Sequence, residues 1–340
     1  MLTETSEQQL AGHSWMLRGL CEHYEIFGDA LALKAINAIF ENLYLPLKEK
    51  IDFYPIDREK KNDGGVSGEH SQILDGWVLS SDTGTFFMSV DGLSHAYKVT
   101  GDSRIKEFLE RMIAVFLKID RVKLRMQTHC TLTAARGMLR LFALTDDVKY
   151  LNGAKDVYNT YIDSGMTYTY QNVNWWGRHD TWTEPCAIVD SIMLASELYK
   201  ITKDESYRRT AARVYTNGLA TAQRDNGGAG TDTVVTSQGK PILSARSYEA
   251  WFCCSMRLAE GLWYIGENKD LLYTESFGEV CKNQNGVYMD GDIVYVSVSD
   301  NLQPYAENEL YADGIKLVPI VKYYSIPKDA ITEGKQQVIF

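Results

Sequence analysis

Five segments of this chain repeat one pattern: an amphipathic helix rich in aromatic residues, a short polar turn, then a second helix. They are Leu17 to Phe27 with Gly28-Asp29, Leu93 to Val99 with Gly101-Asp102, Met138 to Leu144 with Asp146-Asp147, Ile192 to Ile201 with Lys203-Asp204, and Met256 to Ile265 with Glu267-Asn268. The turns lie at 28, 101, 146, 203 and 267, and spacings of 73, 45, 57 and 64 residues are too irregular for a solenoid. They suit helical hairpins joined by loops of variable length. Within each unit the apolar spacing is helical, as in Ile105, Leu109, Met112, Ile113 and Phe116. The pattern predicts a mainly α fold over residues 1–280, an (α/α)6-type toroid of paired helices, with an open stack as the alternative. Toroids gather their long loops at one end, so the irregular stretches 54–84, 164–183 and 224–250 are expected to form the site.

After Leu272 the texture changes. Residues 286–298 alternate in period two around turn signals, a further strand is predicted from Ile315 to Tyr323, and Val338-Ile339-Phe340 reads as part of another. Residues 281–340 are therefore expected to be the opening strands of a β-sandwich, cut short.

With 45% hydrophobic residues among 340, the chain can bury a substantial core. Its net charge of −10, without a Lys/Arg block, argues against a nucleic-acid backbone or an anionic membrane surface as partner; a neutral small molecule or glycan fits better. No run approaches the roughly 18 apolar residues of a membrane span, and the first ten residues have no apolar core. The expectation is a cytoplasmic protein, or a chain whose ends are missing. Six cysteines are too few for a disulfide scaffold and suit a metal or a reactive thiol in a reducing compartment.

Three of those cysteines fall in two short segments, Thr183-Glu184-Pro185-Cys186 and Trp251-Phe252-Cys253-Cys254, each opening a long helix. Glu184, Cys186, Cys253 and Cys254 offer one carboxylate and three thiols at helix N-termini. Zn²⁺ accepts such mixed ligands, and the helix N-terminal field favours the thiolate form that the metal requires. The same set places a candidate cysteine nucleophile beside a metal. The competing reading is that these are small buried hydrophobes.

Residues 167–182 read TYTYQNVNWWGRHDTW. Trp175, Trp176 and Trp182 beside Arg178, His179, Asp180 and two asparagines are what a sugar ring demands, since its C–H faces stack and its hydroxyls need paired hydrogen bonds. The plainer reading is a loop packed over the end of the toroid by its own aromatics. His129, at the start of a helix, either faces the cavity or is a satisfied structural residue. No Gly-x-Ser-x-Gly elbow, Walker loop or His-Glu-x-x-His is present.

Glu184-x-Cys186, Cys253-Cys254, Tyr97-Lys98-Val99-Thr100-Gly101-Asp102 and Gly286-Val287-Tyr288 together resemble the β-L-arabinofuranosidase family, glycoside hydrolase family 127, over about residues 10–300. The resemblance implies that Glu184, Cys186, Cys253 and Cys254 hold zinc, that Cys253 attacks the anomeric carbon of a carbohydrate substrate in a retaining double displacement, and that His129 contacts a substrate hydroxyl. One departure matters: the family's acid/base glutamate falls on Met166, which has no proton to give. The acid role would pass to Asp180, His179 or a distant residue such as Glu249. The family's Cys-Cys-Pro-Pro-Asn stretch is here Cys253-Cys254-Ser255-Met256-Arg257. Two rival readings follow: a glycan-binding relative with a structural zinc, and a toroid lyase or unsaturated-uronide hydrolase built on Arg178-His179-Asp180.

Overall fold

The computed structural model describes residues 5–57, 70–167, 169–178, 181–224, 227–230, 232–233 and 253–272, together with strand residues 287–290, 293–297, 311–312, 315–316, 319–320, 323–327 and 338–339. The chain divides into two compact units, Met1–Glu267 and Asn268–Phe340. In the first, helices come in pairs: α1 (Glu7–Phe27) with α2 (Ala30–Ile39), α3 (Ser89–Thr100) with α4 (Ser103–Phe116), α5 (Thr128–Thr145) with α6 (Val148–Ser164), and α7 (Pro185–Thr202) with α8 (Glu205–Val214). A π turn, Tyr215–Leu219, carries α8 on into the single turn α9 (Ala220–Ala222), and α10 (Cys253–Glu267) follows.

The four turns within these pairs share one mechanism. A residue of positive φ closes the first helix: Gly28 at 66°, Gly101 at 67°, Asp146 at 54° and Lys203 at 61°. Its N–H donates to the carbonyl of Tyr24, Tyr97, Phe142 or Tyr199. The aspartate that follows caps the next helix. The carboxylates of Asp29, Asp102, Asp147 and Asp204 accept the N–H groups of Leu31, Arg104, Lys149 and Ser206 at 2.8, 2.8, 3.1 and 2.9 Å. Each such cap stabilises its helix by roughly 1 kcal/mol. The Asp-containing turns of the sequence are thus coupled stop and start signals.

α1, α3, α5, α7 and α10 pack in succession, each against the next, while α2, α4, α6 and α8 lie against α1, α3, α5 and α7. Burial separates the two layers. Every residue from Thr183 to Ser196 is buried, as in a helix enclosed on all sides. By contrast, α4 buries one face, Ile105, Phe108, Leu109, Met112, Ile113 and Phe116, much as its spacing predicts. Close approach within the inner layer depends on missing side chains: a Cβ on Gly137 of α5 would lie 2.6 Å from the Val90 carbonyl of α3.

The stretch 54–84, expected to be irregular, contains a β-hairpin. β2 (His70–Leu74) and β3 (Trp77–Ser80) are antiparallel, and β1 (Thr5–Ser6) adds to β3 in parallel. Asp75 and Gly76, with φ of 51° and 79°, make the two-residue turn, whose left-handed geometry matches strand twist. A second small pairing joins β4 (Trp182–Thr183) to β5 (Asp232–Thr233).

The second unit opens with the short helix α11 (Lys269–Leu272). Its strands form two antiparallel sheets. In the four-stranded sheet, β6 (Val287–Asp290), β7 (Ile293–Ser297), β10 (Pro319–Ile320) and β11 (Tyr323–Pro327) take the order β10-β11-β7-β6. In the three-stranded sheet, β8 (Tyr311–Ala312), β9 (Ile315–Lys316) and β12 (Val338–Ile339) take the order β12-β8-β9. The single strand expected over Ile315 to Tyr323 is instead divided between the two sheets. Pro319, which donates nothing to a ladder, sits on β10, an edge strand. Among the described residues no helix is long and apolar enough to cross a membrane.

Candidate metal and active centre

Glu184 occupies the N-cap position of α7, Pro185 the first helical position and Cys186 the second. The Glu184 backbone is extended, with φ −112° and ψ 117°, and its side chain makes no capping bond to its own helix. The carboxylate instead accepts a 2.7 Å hydrogen bond from Gln127 Nε2. Gln127 is itself the N-cap of α5, its Oε1 taking the Cys130 N–H at 3.0 Å, so one amide joins two helix starts. The α7 and α10 helices are neighbours in the inner layer, which brings Cys186 beside the first turn of α10, where Cys253 and Cys254 lie.

The result is a four-residue cluster. The three Sγ atoms and one carboxylate oxygen of Glu184 all lie within 4.8 Å of one another. Cys186, Cys254 and Glu184 are buried and Cys253 is half-buried. The Sγ atoms of Cys186 and Cys254 are 3.7 Å apart. Zinc–sulfur bonds of about 2.3 Å at a tetrahedral angle separate two ligand sulfurs by roughly 3.8 Å, so the donor set and this spacing fit a closed Zn²⁺ site. The thiols are also polarised against one another. Hydrogen bonds from Cys186 and then Cys254 pull the Cys253 thiol down to about 3, whereas burial pushes Cys186 well up.

One turn deeper, at Cys186 plus four and Cys253 plus four, stand Asp190 and Arg257, which belong to neither cysteine motif. Asp190 is fully buried and every oxygen is used. Oδ1 accepts from Arg136 Nη1 at 2.6 Å and from Arg257 Nη2; Oδ2 accepts from His129 Nδ1 at 2.5 Å and from Thr133 Oγ1 at 2.8 Å. Burial alone would raise this carboxyl, but Arg257, His129 and Arg136 hold it well below the usual carboxylate range. The ion pairs continue across the inner helices. Arg257 reaches Glu260, which meets Arg18 of α1 at 2.5 Å; Arg18 also pairs with Asp91 of α3 at 2.9 Å, and Arg140 of α5 meets the same carboxylate at 2.5 Å. The sequence carried a signal for it: Asp190 and Arg257 sit in otherwise apolar helical runs, where a charge needs a partner.

His129 is 4% exposed, its Nε2 has no hydrogen-bond partner among the described residues, and Trp15 packs edge-on at 5.8 Å. The aromatic loop behaves differently from an open sugar platform. Trp175 and Trp176 are completely buried. Trp175 Nε1 donates to Ser81 O at 3.1 Å, and its ring meets Trp182 in a T-shaped contact at 5.0 Å. The reason lies in the backbone: Thr128 N–H donates to Asn174 O at 2.8 Å and Trp176 N–H to Met126 O at 3.0 Å, which draws the segment down beside α5. The two rings therefore seal the loop rather than present stacking faces. Trp182 and Arg178 are half-buried. Asn174 is buried, and neither of its side-chain polar atoms is bonded among the described residues, a polar demand inside that same loop. Met166, half-buried, pairs its backbone with Asn172. His179, Asp180 and Glu249 lie outside the described residues.

No protein-family model matches the chain, and no curated protein matches its sequence. Solved structures do. The chain is similar to cellobiose 2-epimerase from Bacillus thermoamylovorans at 16% identity, covering 76% of this chain and 71% of that one with a TM-score of 0.51. A GH127 β-arabinofuranosidase aligns over 92% of this chain and 56% of its own, at 12% identity and a TM-score of 0.46. An inactive variant of an α-1,6-mannanase of Salegentibacter, solved with α-1,6-mannotriose, aligns over 68% of this chain and 64% of its own, at 17% identity and a TM-score of 0.43. The chain thus spans less than two thirds of the latter two. At such identity the likeness to the epimerase is one of fold, and it identifies the first unit as an α/α toroid, as the hairpin pattern predicts.

Proposed function

We propose that the protein is a glycoside hydrolase that cleaves with retention, using Cys253 as nucleophile in a zinc site completed by Glu184, Cys186 and Cys254. The observation that carries this reading is the convergence of three sulfurs and one carboxylate oxygen within 4.8 Å, at the starts of two adjacent helices. Bound there, zinc would keep the sulfurs deprotonated at neutral pH. Cys253 Sγ then forms a bond to the anomeric carbon as the bond to the leaving oxygen breaks, and water later displaces the sulfur to restore the configuration. His129, whose Nε2 has no hydrogen-bond partner among the described residues, supplies a hydrogen-bonding group at the start of α5. Three thiols held for metal and attack also favour a reducing compartment such as the cytoplasm.

The observation that favours a second reading is Met166. A thioether where the resemblance implies the acid leaves an ordinary alcohol leaving group unprotonated, and a protein of this kind binds a glycan without turning it over. Activated aryl glycosides decide between the two, because a nitrophenolate departs without an acid. The wild-type protein is expected to release nitrophenol from at least one pyranoside or furanoside of a stereochemical panel, with a Cys253→Ala variant slower by 10³-fold or more. No release from any member, alongside retained binding of an oligosaccharide, would establish the binding reading. Release that survives in Cys253→Ala would move the chemistry to the Arg178-His179-Asp180 segment.

A further inference from the structure

The four contacts on Asp190 are divided by chemistry. Both partners of Oδ1, Arg136 Nη1 and Arg257 Nη2, are obligate donors, and both partners of Oδ2, His129 Nδ1 and Thr133 Oγ1, are able to donate or accept. A carboxylate only accepts, so with Asp190 ionised the imidazole must carry a proton on Nδ1. The other ring nitrogen, Nε2, is buried and has no hydrogen-bond partner among the described residues. Asp190 belongs to α7 and Arg257 to α10, the two helices that carry the thiols at their starts.

We infer that Asp190 is a positioning residue that locks His129 in its Nδ1–H form, so that Nε2 is kept as a hydrogen-bond acceptor for a ligand hydroxyl. The same carboxylate ties the ring to α7 and, through Arg257, to α10, so the ring's orientation and the register of the two thiol-bearing helices share one anchor. The assignment of the tautomer is independent of hydrolysis. Its use in holding a sugar hydroxyl rests on the hydrolase reading above.

An isosteric amide inverts the arrangement. In Asp190→Asn the amide oxygen must stay toward Arg136 and Arg257, which have nothing to accept with; the NH₂ group then faces His129 Nδ1, which must accept and pass its proton to Nε2. Protein labelled with ¹⁵N in its imidazoles reports this directly by long-range proton–nitrogen correlation, with His129→Asn identifying the signal among the six histidines. The expected result is a single Nδ1–H form in wild type, the same form in Thr133→Val, and an Nε2–H form in Asp190→Asn. An Nε2–H form, a tautomeric average or a doubly protonated ring in wild type overturns the inference, as does an unchanged His129 signal in folded Asp190→Asn. Should that variant not fold, the wild-type and Thr133→Val spectra decide by the same criterion. Neither activity nor zinc content enters the readout, so the outcome is separate from that of the aryl-glycoside assay.

Discussion

Glu184 stands at a helix N-cap without capping the helix, and the reason is that its carboxylate is used elsewhere. Gln127 holds it by a hydrogen bond, and one carboxylate oxygen lies within 4.8 Å of three sulfurs. That residue and its cysteines were legible because carboxylate and thiol side chains at helix starts carry their chemistry in their identity. Trp175 and Trp176 were not. Composition marks an aromatic loop, but whether a ring stacks on a ligand or seals the loop depends on which backbone groups pair, here with Met126 and Thr128. Asp190 was missed for a related reason: its significance lies in partners drawn from α5 and α10, and a single acidic residue in an apolar run does not announce them. Met166 is the residue at which the hydrolase account is most exposed. Replacing it by glutamate should raise turnover of substrates with poor leaving groups by roughly 10²- to 10⁴-fold, while leaving nitrophenyl substrates nearly unchanged. Equal effects on both substrate classes would show that position 166 is not where the acid acts.

Helix ends were the most readable elements. A residue of positive φ followed by a capping aspartate is a local device, complete within about four residues, so the chain states it without help from the fold. The β2–β3 hairpin escaped notice because its strands are five and four residues long and its partner β1 is more than sixty residues away in sequence. Helix–helix approach is likewise invisible until two elements meet. Gly137 reads as a neutral residue inside a helix, yet it is where α5 touches the α3 backbone. Gly137→Ala improves helix propensity but forces the two backbones apart, and the expected net effect is destabilisation by about 1–3 kcal/mol, read from denaturant midpoints at unchanged slope. Stabilisation by the roughly 1 kcal/mol that propensity alone predicts would mean that the α3–α5 contact is looser than described.

At the scale of the whole molecule, the toroid turns sequence distance into proximity. Cys186 and Cys254 are 68 positions apart, and their sulfurs meet because α7 and α10 are successive inner helices. Their depth is set by the ion pairs beneath, where Asp190, Arg257, Glu260, Arg18 and Asp91 link α7, α10, α1 and α3. Buried charges of this kind are a weak source of net stability, but removing one partner leaves the other uncompensated, so they hold the helices in one register. The sequence could state that paired helices exist and that four donors are available. Only the ring states that the donors belong to one site. Elemental analysis of protein purified without added metal tests that claim most directly. About one zinc per chain is expected in wild type, and its loss in Cys186→Ala; wild-type protein that contains no zinc, with its thiols reacting as free groups, would rule out a shared metal site.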